Sequence, residues 1–234
     1  MSQSQDFVEE NLGKILSAIK NAAPDLHKAG AFRKETLDAL AKHLGRQKVV
    51  NSIETGSGAS TLLFSHLSQH HTVFALDEGN ESISNIRYNP LLRTSAVTFV
   101  EGPTQKTLPT HQFPEPLQAA LIDGPHGYPF PDLEYYFVYP HLETGALLVI
   151  DDIQIRSIRN LFNFLRVDRM FHLEEVVGTT AFFRRTEAPT LDPLGDGWWE
   201  QKYNQVPPLA YLPRHIIRRM VPTSLVRWLR HRRK

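Results

Sequence analysis

Phe7, Val8, Leu12, Ile15, Leu16 and Ile19 recur at spacings of three and four, the period of an amphipathic helix. A second helical run covers Lys34 to Leu44 and stops at Gly45. The period then shortens. Lys48 to Ile53 is brief and rich in β-branched residues; it runs into Glu54-Thr55-Gly56-Ser57-Gly58, after which Ala59 to Leu67 is helical again. The alternation repeats with strand 72–76, helix 81–88, strand 97–100, strand 117–122, helix 131–139, strand 146–150 and helix 155–165. Strands alternating with helices predict a doubly wound α/β fold, its parallel sheet covered on both faces.

The end of this block breaks the rhythm. Phe171 to Val177 and Thr179 to Arg185 are two β-prone runs separated by Gly178, which predicts a hairpin and therefore an antiparallel strand near one edge. The expected architecture is a Rossmann-like, mostly parallel seven-stranded sheet closed by a C-terminal antiparallel hairpin. Four regions follow: N-terminal helices over 1–47, a core over 48–185, a strap over 186–213 marked by five prolines and Trp198-Trp199, and a basic tail over 214–234.

Composition narrows the chemistry. The chain has 234 residues, 26 Lys plus Arg against 25 Asp plus Glu, and no cysteine. Disulfides, thiolate metal sites and a cysteine nucleophile are thereby excluded, and a reducing, cytoplasmic setting fits. The polar, acidic opening MSQSQDFVEE gives no secretory signal, and no apolar run reaches the length of a membrane-spanning helix. Near-neutrality hides an uneven distribution. Residues 214–234 hold seven Arg and one Lys with no acid, interleaved with apolar residues including Trp228; without those eight cations, 18 Lys plus Arg face 25 acids, a body of −7 beside a +8 extension. Such a tail suits peripheral contact with the inner face of a membrane, packing on its own domain or a homodimer contact; nucleic acid is the least favoured partner.

Candidate ligand chemistry gathers at strand ends. Gly56 and Gly58 allow close backbone approach to a ligand at the start of a helix, with Ser57 and Ser60 in the same turn and Glu54 just before it. A dinucleotide fingerprint would need a third glycine where Thr61 stands. Asp77, about 20 positions on and at the end of the next strand, is placed to accept from both hydroxyls of a ribose or, alternatively, to cap the following helix. Asp123 ends one strand and Asp151-Asp152 another. Those strands should be neighbours, bringing three carboxylates into one cleft, where a divalent cation such as Mg²⁺ or a shared proton would relieve their repulsion. His126 is a candidate base or extra ligand. Helix capping by the aspartates and a plain loop role for the histidine are the competing explanations.

This ordered series resembles the class I S-adenosylmethionine-dependent methyltransferases, nearest the branch similar to catechol O-methyltransferase and small bacterial methyltransferases of cell-surface or secondary-metabolite pathways. The resemblance spans about residues 48 to 185 and rests on Glu54-Thr-Gly-Ser-Gly-Ala-Ser-Thr, Asp77, Ile122-Asp-Gly-Pro-His-Gly-Tyr and the run from Pro140 to Asp152. It implies an enzyme that methylates a hydroxyl of a small molecule or glycan. By the same resemblance, Glu54, Gly56, Ser57, Gly58, Ser60, Asp77, Glu78, Gly102 and Asp123 would hold S-adenosylmethionine. His126, Asp123 and Asp151 would be catalytic, and Asp123, Asp151 and Asp152 would chelate Mg²⁺ or another divalent ion. One departure is Pro103, which cannot donate a hydrogen bond in the loop that borders the adenine in relatives. A nicotinamide-dependent oxidoreductase and a non-catalytic membrane or assembly protein on the same scaffold are the alternatives.

Overall fold

The computed structural model describes residues 3–26, 32–77 and 82–205. The basic tail and Glu78 lie outside the described residues. Helices α1 (Gln3–Leu26) and α2 (Lys34–Leu44) precede β1 (Val49–Thr55), α3 (Ala59–Leu67), β2 (Ser68–Ala75), α4 (Ser82–Arg87) and β3 (Val97–Glu101). A single helical turn, α5 (Thr104–Thr107), leads to β4 (Leu117–Ile122), α6 (Phe130–Val138), β5 (Leu142–Ile150), α7 (Arg156–Leu165), β6 (Phe171–Val177) and β7 (Thr180–Arg185).

The seven strands form one sheet in the order β3-β2-β1-β4-β5-β7-β6. From β3 to β5 every pairing is parallel, whereas β7 runs antiparallel to both β5 and β6. The expected fold class is therefore the observed one. Strand β4 shows why the interior strands read as continuous apolar runs: all six of its residues are buried, because helices cover both faces. Along β5, Ala146, Leu148 and Ile150 pack with Tyr135, Val138, Ile158 and Leu161 of α6 and α7. Leu147 and Val149 point the other way, toward Ile19, Leu40, Leu62 and Phe64 of α1, α2 and α3. Chain order reverses between β1 and β4, and the crevice at such a reversal is where open α/β sheets bind ligands.

Two strands start earlier than their sequence pattern indicates. In β2 the polar stretch Ser68 to His71 joins the sheet through pairing with β1, and its polarity is absorbed internally. Ser52 Oγ donates to Ser68 Oγ at 2.7 Å and lies 2.8 Å from His71 Nδ1. Strand β5 begins at Leu142, with Gly145 at φ +85°, where the left-handed backbone favours glycine. Helix α1 also extends beyond its apolar stripe.

The chain divides into two units, Met1–Asp196 and Gly197–Lys234. In the first, residues after β7 are tied to α6 and the turn that follows it: Tyr139 Oη donates to the Leu191 carbonyl at 2.9 Å and Tyr136 Oη to that of Pro193 at 3.0 Å. In the second, a 3₁₀ turn at Trp198–Glu200 and the short helix α8 (Lys202–Gln205) are held by Gln205 Nε2 donating to the Trp199 carbonyl. Among the described residues no helix is long and apolar enough to cross a membrane.

Candidate active site

The glycine loop is locked from below. Gly56 N donates to the Phe74 carbonyl at 2.9 Å, and its φ of +90° together with the closeness of the Asp123 carbonyl leaves no room for a Cβ. Gly58 differs: its φ of −179° is ordinary extended backbone, and a Cβ there would meet open space. Thr61, the residue that spoils a dinucleotide fingerprint, has work of its own. Its hydroxyl accepts from Gly58 N at 3.0 Å and donates to Glu54, whose other oxygen accepts from Ser60 Oγ at 2.7 Å. Glu54 is fully buried, with His71 Nε2 3.2 Å from it, so it braces the start of α3 from behind and does not line the cavity above.

That cavity, of about 720 Å³, lies over the carboxyl ends of the central strands. Gly56, Ser57, Gly58 and Ser60 form one wall, Gly102 to Gln105 another, and Asp123, His126, Asp151 and Asp152 a third. Phe32, Arg33 and Thr36, at the start of α2, face it from the N-terminal side. Ser57 Oγ is buried with no hydrogen-bond partner among the described residues, while Thr104 Oγ1 faces the Glu134 carboxyl. An unsatisfied polar atom of this kind is costly, and its place in the lining gives a polar ligand a partner. Asp77 stands apart. Its carboxylate accepts from Ile83 N at 3.0 Å and from Ser84 Oγ at 2.6 Å, and the Ser84 bond leads in holding its pKa below the ordinary value. In this state it caps α4, the second of the roles its position allows.

The acidic strand ends do meet. Asp123 N donates to Thr55 Oγ1 at 3.0 Å, and Asp151 N to the Ile122 carbonyl at 3.1 Å, which fixes both ends side by side. Neither aspartate of the pair caps α7, whose first turn is preceded by Ile155. Asp151 accepts from Thr180 Oγ1 at 2.6 Å, while Asp152 takes a positive φ of 53° that an aspartate tolerates. His126 Nε2 then lies 3.6 Å from Asp123 Oδ1 and 3.4 Å from Asp152 Oδ2, with its backbone pinned by Ser157 Oγ. Ligand atoms of Asp123, His126 and Asp152 all fall within 4.8 Å of one another. The sequence-based trio of carboxylates thus becomes two carboxylates and an imidazole, with Asp151 engaged by Thr180. Burial pushes the Asp123 carboxyl up to about 7, and the Asp123 carboxylate in turn raises His126.

Glu134 of α6 is the site residue the strand ends did not announce. Only 1% exposed, it accepts from Thr55 Oγ1 at 2.7 Å, and a Cβ on Gly124 would collide with its carboxylate. Thr55 therefore links Glu134 to the Asp123 amide. The available signal was an acid at a core position of α6, whose buried residues are Pro131, Glu134, Tyr135 and Val138.

Residues 53–153 match the family model described as a methyltransferase domain. Solved structures share the fold. The O-methyltransferase TomG of Streptomyces achromogenes, in complex with S-adenosylmethionine, superposes with a TM-score of 0.58 at 13% identity, over 74% of this chain and 89% of that one. An O-methyltransferase of Bacillus cereus in complex with S-adenosylhomocysteine gives 0.54 at 17% identity, over 76% and 91%. The methyltransferase MycE of the mycinamycin biosynthetic pathway, in complex with Mg, S-adenosylhomocysteine and mycinamycin VI, gives 0.50 at 15%, over 77% and 57%. No curated protein matches the chain in sequence. Over residues 53–153 the chain is thus similar to a methyltransferase domain, and it shares its fold with these methyltransferases.

Proposed function

We propose that the protein transfers a methyl group to a hydroxyl of a small molecule or glycan. The observation that carries this reading is one cavity bordered at once by the glycine loop, the Gly102–Gln105 loop and the Asp123–His126–Asp152 cluster. The orphaned hydroxyl of Ser57 and the steric demand for Gly56 fit a bound cofactor of that class. When bound, S-adenosylmethionine supplies a methyl group activated by its sulfonium charge. The residues that would hold it are Gly56, Ser57, Gly58, Gly102 and Thr104.

The acceptor side is the work of the third wall. His126 Nε2 takes the proton of the acceptor hydroxyl as its oxygen becomes nucleophilic, and Asp123 and Asp152 on either side stabilise the resulting imidazolium. Thr180 holds Asp151 beside them, adding negative potential to the same wall. A specific observation favours a second use of the cluster, because three ligand atoms within 4.8 Å of one another form a ready divalent-cation site. Such a cation, when bound, lowers the pKa of a coordinated hydroxyl. The +8 tail fits a peripheral position on an anionic membrane surface.

Isothermal titration with S-adenosylhomocysteine tests the reading directly. Saturable binding that Gly56→Ala abolishes is expected; absence of binding, with a nicotinamide nucleotide bound instead, would sink it.

A further inference from the structure

A second hollow, of about 450 Å³, lies between α7 and the β6–β7 hairpin. Its apolar floor is Ile153, Phe162, Leu173 and Val176, and its charged lining consists of Arg159 and Arg166. Gln154 and Thr179 line both this groove and the main cavity, so the two are adjoining parts of one surface. The arginines stand three residues before and four after Phe162, on one helix face, with guanidinium carbons 5.4 and 5.5 Å from the centre of its ring.

Neither arginine forms an ion pair among the described residues. The nearby acids of β6 are spent elsewhere: Glu174 pairs with Arg46 at 2.9 Å and Arg184 at 3.2 Å, and Glu175 pairs with His43 at 2.5 Å and Lys42 at 3.2 Å. On the far side of the hairpin turn, a Cβ on Gly178 would sit 3.8 Å from Arg33 Cδ, and Arg33, also without an ion pair among the described residues, lines the main cavity. Three cations without an ion pair among the described residues, Arg33 beside Gly178 and Arg159 and Arg166 in the groove that Gly178 and Thr179 also line, thus stand in a body whose other charges sum to a clear negative excess. An anionic acceptor approaching the carboxylates of the third wall would be repelled unless local cations compensated.

We propose that this groove is an anion subsite for the acceptor, which carries a phosphate or carboxylate gripped by Arg159 and Arg166 and an apolar portion laid over Leu173 and Val176. The acceptor assignment rests on the methyltransferase reading; the anion site rests on the groove alone. Arginine suits planar, two-pronged recognition of either group.

The test uses the full chain saturated with S-adenosylhomocysteine, titrated calorimetrically with phenyl phosphate, benzoate and, as the uncharged control, benzyl alcohol. Saturable binding of at least one anion is expected, with benzyl alcohol at least tenfold weaker. In Arg159→Gln/Arg166→Gln, anion affinity should fall at least tenfold while S-adenosylhomocysteine affinity stays within twofold, since both side chains are exposed and outside the cofactor walls. Phosphate and carboxylate arms distinguish the two headgroups. Equal anion binding by wild type and variant, loss of binding only on deleting residues 206–234, or equal binding of benzyl alcohol would overturn the proposal. Arginine-dependent anion binding without any S-adenosylhomocysteine binding would uphold the anion site and overturn the methyltransferase reading.

Discussion

Glu134 shows how one buried side chain organises a site it does not enter. Through Thr55 it fixes the amide of Asp123, and its contact with Gly124 sets the backbone from which Asp123 and His126 project. Its environment has a measurable consequence. Burial pushes its carboxyl from an ordinary 4.5 up to about 7, opposed by the Thr55 hydrogen bond. A raised folded-state pKa means that its stabilising contribution is complete below about pH 4.5 and is lost as pH climbs through 7. Glu134→Gln keeps the shape and removes the titration. Between pH 5 and pH 8, wild type should therefore lose stability relative to Glu134→Gln, by on the order of 3 kcal/mol at most. Denaturant titrations of both proteins at the two pH values read this difference; one that stays flat would show that the carboxyl ionises normally in the fold.

At the scale of elements, periodicity made most of the fold legible. Strand β4 and helix α2 follow their sequence patterns, because continuous burial and a helical stripe leave unmistakable traces. The early starts of β2 and β5 were hidden, since a polar segment such as Ser68 to His71 becomes strand only through the partner it pairs with. For the site the division is similar. Backbone placement of the glycine loop and of Asp123, Asp151 and Asp152 followed from strand ends, but side-chain allegiance did not. Asp151 turns to Thr180, and Glu54 to Ser60 and Thr61, each captured by a hydroxyl whose orientation the spacing could not disclose, whereas the cap that Asp77 places on α4 was one of the two roles its position allowed. What the β4 and β5 loops bring together is testable as a unit. A cation on His126 Nε2 and a free imidazole acting as base are exclusive roles for one atom. If a cation is held, calorimetric Mn²⁺ titration should show one site, weakened at least tenfold in Asp152→Asn, and methyl transfer should fall on chelation. Absence of a Mn²⁺ site, with chelator-insensitive transfer, would leave His126 as the proton acceptor.

Across the whole molecule, charge is separated by position along the chain. The negative excess belongs to residues 1–213, and its carboxylates include those of the cavity wall, whereas the cations of 214–234 are accompanied by no acid at all. Basic residues near an anionic lipid surface contribute about 1 kcal/mol each, and that attraction fades within a Debye length as salt rises. The acidic body would be repelled by the same surface, and the two effects together would favour approach of the tail to the lipid. Apolar residues interleaved with the arginines, Ile216, Ile217, Leu225 and Trp228 among them, add a component that salt does not screen. Flotation with vesicles rich in phosphatidylglycerol should therefore recover the full chain, in decreasing amounts as salt is raised, and recover little with purely zwitterionic vesicles. Removing 214–234 should abolish flotation while leaving S-adenosylhomocysteine binding intact, because the described walls of the main cavity, where the cofactor is proposed to bind, lie within residues 23–180. Equal recovery with and without the tail would remove the membrane assignment and return those cations to a role in packing or self-association.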